Sequence, residues 1–350
     1  MHTTSVGAEE IERYLSARTG RRHVVNRATR AFPGVSRETW LVHCTVGDEP
    51  RGYVFRLEHP WPVPTPMELD VEFALQQTLW SLGVPVAKPL WIDATPGFAG
   101  GRRHLVRDLV EGSSRINGLR APGAEGDARR REVVRSHLSG LAQLHRVDWR
   151  AAGIHRLLPA PAVDSDVLVA EFDRWSSLWE QGRPVRRPIV SEFLSWLRPL
   201  VPRDVPRVSL TKGNNGVGEE VFRGNRMVAL SDFELAGLSD PALDLAFSQG
   251  TLSLTDSRAA LDHYERESSA GVTPQRLAYA QIWNRFKSLA CLDLYFLAPF
   301  LDGRDPRSTA GAFGLVTLPR LERSLGRLTG SDLGALATDG LADAGAGTYH

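Results

Sequence analysis

Cysteine is nearly missing. Cys44 and Cys291 are the only two, far apart and without the pair spacing of a metal site, so neither a disulfide framework nor a structural zinc motif is read, and a reducing compartment suits the chain. Lysine is almost as rare: Lys88, Lys212 and Lys287 stand alone among 42 basic residues, the rest being arginine, which makes each of the three worth following. Net charge is lacking as well. With 42 basic and 41 acidic residues the formal charge is +1, so no global field draws the chain to nucleic acid or an anionic membrane, and any anionic ligand has to be held locally. No apolar run is long enough to cross a bilayer, because the most apolar stretch, Ser288 to Leu301, is short and carries Asp293 and Pro299. Met1 to Glu10 has no apolar core and is not read as a secretory signal. These absences predict a cytoplasmic protein with neither nucleic-acid nor membrane partners, and leave the oligomeric state open.

What is present suffices for a sizeable core: 42% of the 350 residues are hydrophobic, and the length suits two lobes. Ile11, Tyr14 and Leu15 line one side of a short helix over Glu9 to Ala17. Trp40 to Val46 and Arg51 to Leu57 are rich in Val, Tyr, Phe and Trp and flank Gly47-Asp48-Glu49-Pro50, a hairpin with a four-residue turn. Val71, Leu75, Leu79 and Leu82 predict a helix that Gly83 and Pro85 stop. Pro89 to Ile92 and His104 to Leu109 can complete a small antiparallel sheet. Gly112 to Arg129 reads as an exposed connection, after which the character is helical: Val134, Leu138, Leu141 and Leu144 trace one face, Leu168, Phe172, Trp175 and Leu178 another, and Ala260 to Leu328 continues in the same way. A β-like island, Glu220 to Asp232 with Gly224-Asn225 as its turn, interrupts the helices. The expected organisation is an N-terminal lobe over residues 1–111, a C-terminal lobe over 112–337 and a frayed tail over 338–350.

The stretch Val208 to Ala246 carries the chemistry. A Gly/Asn loop is followed by a hairpin, an acid at the hairpin's end in Ser231-Asp232-Phe233-Glu234, then Asp240-Pro241 and a helix. Phosphoryl transfer needs acidic or amide oxygens on loops to hold Mg²⁺ against phosphates, and Asp232 stands where such a ligand would.

Together with motifs upstream, this stretch resembles the aminoglycoside phosphotransferase and choline kinase superfamily, and within it the kinase-like domains found alone or attached to acyl-CoA dehydrogenases. The match is collinear from about Ala31 to Phe300. Phe32-Pro33-Gly34-Val35-Ser36-Arg37-Glu38-Thr39-Trp40 is similar to the family's turn over the ATP phosphates. Tyr53-Val54-Phe55-Arg56 is similar to the strand with its phosphate-binding cation, and Glu72 stands at the spacing of that cation's partner. Gly83-Val84-Pro85-Val86 resembles the usual strand entry, and Leu141-Ala142-Gln143-Leu144-His145 with Asp148-Trp149 the helix before the catalytic loop. The resemblance implies an α+β, two-lobed protein-kinase-like fold with a sheet-plus-helix N-terminal lobe and a mainly helical C-terminal lobe. It implies ATP and Mg²⁺ as cofactors and transfer to a hydroxyl of a small metabolite. Gly34, Ser36, Arg37, Arg56 and Glu72 would bind the nucleotide, and Glu219 and Asp232 the metal, with Glu220 competing by one residue. In the catalytic loop this chain departs from the pattern: counting back from Asp232, the family's His-Gly-Asp falls on Lys212-Gly213-Asn214, and its Asn metal ligand falls on Glu219. Lys212 and Asn214 are therefore the expected transfer-site residues, with an amide in the place of the usual base.

Each motif also has a structural alternative. Arg56 can be an outward strand residue, Glu72 a solvated helix residue, and Lys212 with Asn214 and Asn215 a tight turn. Asp244 is expected to brace the loop, and His145 to cap or pack its helix. Arg285, Asp293 and Tyr295 are candidates to face the acceptor. Two rival functions follow from Asn214: a nucleotide-binding module without transfer, or a fold turned to non-phosphoryl chemistry with Lys212 and Glu219 as acid and base.

Overall fold

A computed structural model describes residues 6–31, 36–61 and 63–331 of the chain, so Gly34 and the expected tail at 338–350 lie outside the described residues. Two compact units are present, Met1–Glu111 and Gly112–His350.

The first unit begins with α1 (Ala8–Thr19), which buries Ile11, Tyr14 and Leu15 and ends where Gly20 turns left-handed at φ 70°. Strands β1 (His23–Ala31), β2 (Glu38–Val46), β3 (Glu49–Leu57), β4 (Pro89–Asp93) and β5 (His104–Asp108) form one antiparallel sheet in the order β1-β2-β3-β5-β4, with α2 (Leu69–Ser81) between β3 and β4 in sequence. Strand β2 alternates strictly, burying Glu38, Trp40, Val42, Cys44 and Val46 on one face. The β2–β3 hairpin is tighter than its sequence suggests. Val46 pairs with Glu49, leaving a two-residue turn at Gly47-Asp48 in which Gly47 takes φ 63°. Pro50 enters the strand at its exposed end, where a missing donor is tolerated.

Helix α2 lies where the spacing predicts, but its buried stripe is Leu69, Glu72, Leu75, Gln76 and Leu79. Val71 is half-buried and Leu82 exposed, so the helix is rotated from the purely apolar reading to place a carboxylate inside.

The second unit is mainly helical. Helix α3 (Gly123–His145) buries all four expected apolar residues, and α4 (Val167–Gly182) buries Leu168, Phe172 and Trp175 but exposes Leu178 in favour of Trp179. The Trp179 indole donates to Asp293 at 2.9 Å, which fixes that choice of face. After α5 (Pro188–Leu197) come β6 (Ser209–Thr211), the hairpin of β7 (Val221–Arg223) and β8 (Arg226–Ala229), and β9 (Gly237–Ser239), which pairs with β6. Helices α6 (Ala242–Phe247), α7 (Gln249–Leu252), α8 (Ser257–Ser268), α9 (Pro274–Leu292), α10 (Ala298–Leu301) and α11 (Ser308–Leu328) complete the unit, and a π-helical turn, Asp293–Leu297, joins α9 to α10. No described helix is long and apolar enough to cross a membrane.

A five-stranded antiparallel sheet with helices, followed by a mainly helical unit, is the α+β arrangement the sequence predicts.

Candidate functional site

In the first unit Arg56 lies on β3, between Thr39 of β2 and Leu105 of β5. Its Nη1 donates to Glu72 Oε1 at 2.5 Å, and Gln76 Nε2 donates to the same oxygen at 3.0 Å. Arg37 Nε stands 3.5 Å from the other oxygen, Glu72 Oε2, while its Nη2 donates to the Met67 carbonyl. Arg37, Arg56 and Glu72 are all buried. Glu72 is thus a shared anchor for two guanidiniums. Arg37, expected in the phosphate turn, is placed instead as a second cation on Glu72. Ser36 is half-buried and lies two residues before β2.

In the second unit the loop after β6 is held from below by Asp244 of α6. The Lys212 amide donates to Asp244 Oδ2 at 2.7 Å and the Gly213 amide to Oδ1 at 2.8 Å. His145 Nε2 lies 3.0 Å from Oδ2, and His145 Nδ1 lies 2.6 Å from the Tyr264 hydroxyl. A carboxylate accepts, so His145 donates to it from Nε2. Burial alone would raise the Asp244 carboxyl, but the His145 hydrogen bond and charge and the two amides outweigh it and hold it below its ordinary value. Both expectations here, Asp244 as a brace and His145 in a structural place, agree with this geometry. Gly213 is needed because its φ is 87° and a Cβ there would lie 2.4 Å from the Leu235 carbonyl oxygen.

Beyond Gly213 lie Asn214 and, across the loop, Asp232. Asn214 Nδ2 donates to Asp232 Oδ2 at 3.3 Å. Burial pushes the Glu219 carboxyl up; Lys212 opposes this, whereas the negative charges of Asp232 and Glu220 add to it. Asp232 adopts φ 65°, a left-handed conformation that costs a non-glycine residue about 1–2 kcal/mol and concentrates at functional sites. The Ser231 hydroxyl donates to the Glu219 carbonyl at 2.9 Å, tying the end of the hairpin to its start.

Lys212 is placed differently from the expectation of a substrate contact. Its side chain is wholly buried, with Nζ 3.5 Å from Glu220 Oε1. Glu220 in turn accepts the Gly216 amide at 2.9 Å, so this carboxylate closes the loop from within and does not join Glu219 and Asp232. Burial raises the Glu220 carboxyl and the Lys212 charge opposes the rise. Burial, with Lys212 nearby, lowers His137 to about 3, so its imidazole is neutral and bonds Ser248 at 2.8 Å. His137, Ser248 and Thr251, whose hydroxyl accepts the Val217 amide at 2.8 Å, were not legible as parts of the loop, because nothing in their sequence neighbourhood marks them.

The acceptor candidates divide. Asp293 is buried and saturated by both nitrogens of an Arg187 fork at 2.8 Å and by Trp179, so it serves structure. Arg285 is exposed and donates to Ser324 at 3.0 Å, and Tyr295 is half-buried with its phenol raised to about 12 by burial. Among the described residues no group of three or more His, Cys, Asp or Glu side chains is arranged to hold a metal. Two carboxylates do fit a Mg²⁺ ion that keeps waters and takes its remaining oxygens from phosphates.

Known proteins are similar to this chain in sequence and in fold. A probable acyl-CoA dehydrogenase of Arabidopsis thaliana is 26% identical over 61% of this chain, yet that match covers 27% of the relative, so the chain spans about a quarter of the length of the curated relatives it matches. A candidate aminoglycoside phosphotransferase of Ralstonia eutropha superposes with TM-score 0.64 at 18% identity, covering 93% of this chain and all of that one. A thermostable mutant of aminoglycoside phosphotransferase APH(4)-Ia, in ternary complex with ADP and hygromycin B, superposes with TM-score 0.57 at 15% identity over 97% of this chain and all of that one. These likenesses establish the kinase-like phosphotransferase fold. The model of the phosphotransferase enzyme family matches residues 29–280, most of the chain, and the chain belongs to that family.

Proposed function

We propose that the chain transfers the γ-phosphate of ATP to a hydroxyl of a small metabolite. The observation that carries this reading is the Asn214–Asp232 hydrogen bond, with Asp232 held in a strained backbone conformation and its charge acting on the Glu219 carboxyl. Arg56, oriented by Glu72, would meet the α- and β-phosphates. Arg37 would act through Glu72, and Ser36 with Gly34 would lie at the phosphate turn. Glu219 and Asp232 would hold Mg²⁺, whose charge would neutralise that developing on the transferred group. Asn214 would orient the acceptor hydroxyl by hydrogen bonding. In the transfer the acceptor oxygen bonds to the γ-phosphorus as the bond to the β-γ bridging oxygen breaks. An amide at 214 takes no proton, so the hydroxyl proton leaves to solvent or to the phosphate, and catalysis rests on positioning and charge.

Lys212 has a supporting part in this scheme. Its buried ammonium organises the loop through Glu220, and that burial disfavours the rival in which Lys212 and Glu219 serve as acid and base for non-phosphoryl chemistry. Nucleotide binding without transfer is the reading that Asn214 favours as the alternative. The structural neighbour holding ADP and hygromycin B supports a nucleotide beside a small hydroxylic substrate. Curated relatives named as acyl-CoA dehydrogenases make a hydroxyacyl compound the preferred acceptor class.

The test is a transfer assay with purified protein, Mg-ATP labelled at the γ-phosphate and a panel of hydroxyacyl and other hydroxylic metabolites. Label is expected on one acceptor and absent with Asp232→Ala. Label on none, alongside retained nucleotide binding, would select the non-transferring alternative.

A further inference from the structure

We propose that a groove in the second unit, apart from the Asn214–Asp232 loop, binds a compact phosphate-bearing small molecule. The groove has a volume of about 500 Å³ and is walled by α3, the start of β8 and α8. That size suits a small metabolite.

Its charge is what points to an anion. Arg131 and Arg135 project one turn apart from α3, and Arg226 opens β8 beside them. All three are exposed, and none of their side chains has a hydrogen bond or ion pair with another described residue. Like charges four residues apart on a helix repel. Two acids also line the groove: Glu132 accepts from Asn225 Nδ2 at 2.8 Å, and Glu267 lies 3.4 Å from His263 Nε2, itself part of the wall. Three guanidiniums therefore share one concavity without a carboxylate bonded to any of them. Three arginines against two carboxylates leave the groove wall with a positive excess.

A hydroxyl is also available at the floor. Ser136 Oγ accepts the Met227 amide at 2.8 Å, and its own proton has no acceptor among the described residues. Guanidinium forks pair with phosphate oxygens two at a time, and a serine hydroxyl can donate to a third oxygen, which favours a phosphate over a single carboxylate. The groove's walls also continue into the loop site. Beyond the end of β8 the chain passes through Leu230 and Ser231 to Asp232, and α3 ends at His145, which bonds Asp244.

The test is a calorimetric titration of the full chain with inorganic pyrophosphate at low ionic strength, for the wild type and for Arg131→Ser/Arg135→Ser/Arg226→Ser. Saturable binding is expected in the wild type and at least tenfold weaker binding in the triple variant. Its melting temperature is expected at or above that of the wild type, since three exposed cations without partners are removed. Absence of saturable binding, or equal binding by the triple variant, would overturn the proposal. Pyrophosphate held only at Arg56 would give the second of these results, so the groove fails or stands separately from the nucleotide reading.

Discussion

Lys212 and Glu220 illustrate how one substitution changes the meaning of a loop. Both side chains are wholly buried and stand 3.5 Å apart, so removal of either charge strands the other in a low-dielectric interior. Lys212→Met is expected to lower unfolding stability by about 3–5 kcal/mol in denaturant titration, the cost typical of breaking a buried ion pair. A loss below about 1 kcal/mol, the range of exposed pairs, would show that the pair does not stabilise the loop. Asn214 makes the complementary prediction. Restoring a carboxylate with Asn214→Asp is expected to raise the transfer rate about 10²–10⁴-fold, the usual contribution of a general base. An unchanged rate would count against transfer at this position. The scarcity of lysine did carry information, though not the kind first read from it. Lys212 pairs with buried Glu220, and Lys287 donates to Glu171 at 2.7 Å inside the helical unit. Where arginine is the default cation, these two lysines fill places where a compact ammonium meets a buried carboxylate.

At the scale of elements, Asp244 at the start of α6 is the joint between loop and helices. Its folded value lies below its ordinary 3.8, so its contribution to stability is present above pH 3.8 and is lost as pH falls through the lower folded value. Unfolding measured across pH should accordingly show Asp244→Asn less stable at neutral pH and less sensitive to acid than the wild type. Gly213→Ala tests the same joint from the backbone side. With φ 87° and the Leu235 carbonyl 2.4 Å from the added carbon, a loss of at least about 1–2 kcal/mol is expected in denaturant unfolding. Much of this level was legible beforehand. The expected hairpins, the helix over Leu69–Ser81 and the interrupted helical region are present, because alternation and helical spacing report burial directly. The orientation of α2 was not legible. Apolar periodicity alone favours a stripe through Val71 and Leu82, whereas the carboxylate of Glu72 is drawn inside by Arg37 and Arg56. A similar error affects Asp293, whose polar identity suggests a ligand contact but whose oxygens are filled by Arg187 and Trp179. Charge pairing across distant sequence leaves no periodic trace.

For the whole molecule, the family and its fold follow from motif order across most of the chain, whereas the roles of its residues depend on contacts within each unit. The Arg56–Glu72 pair belongs to the first unit and the Asn214–Asp232 contact to the second, and the functional reading requires both to serve one nucleotide. A calorimetric titration of the intact chain with ATP, in the presence and absence of Mg²⁺, tests that requirement most directly. The account predicts saturable binding that strengthens with Mg²⁺, with the Mg²⁺ dependence lost in Asp232→Asn. No heat of binding in either condition, or equal affinity for ATP with and without the ion, would contradict it.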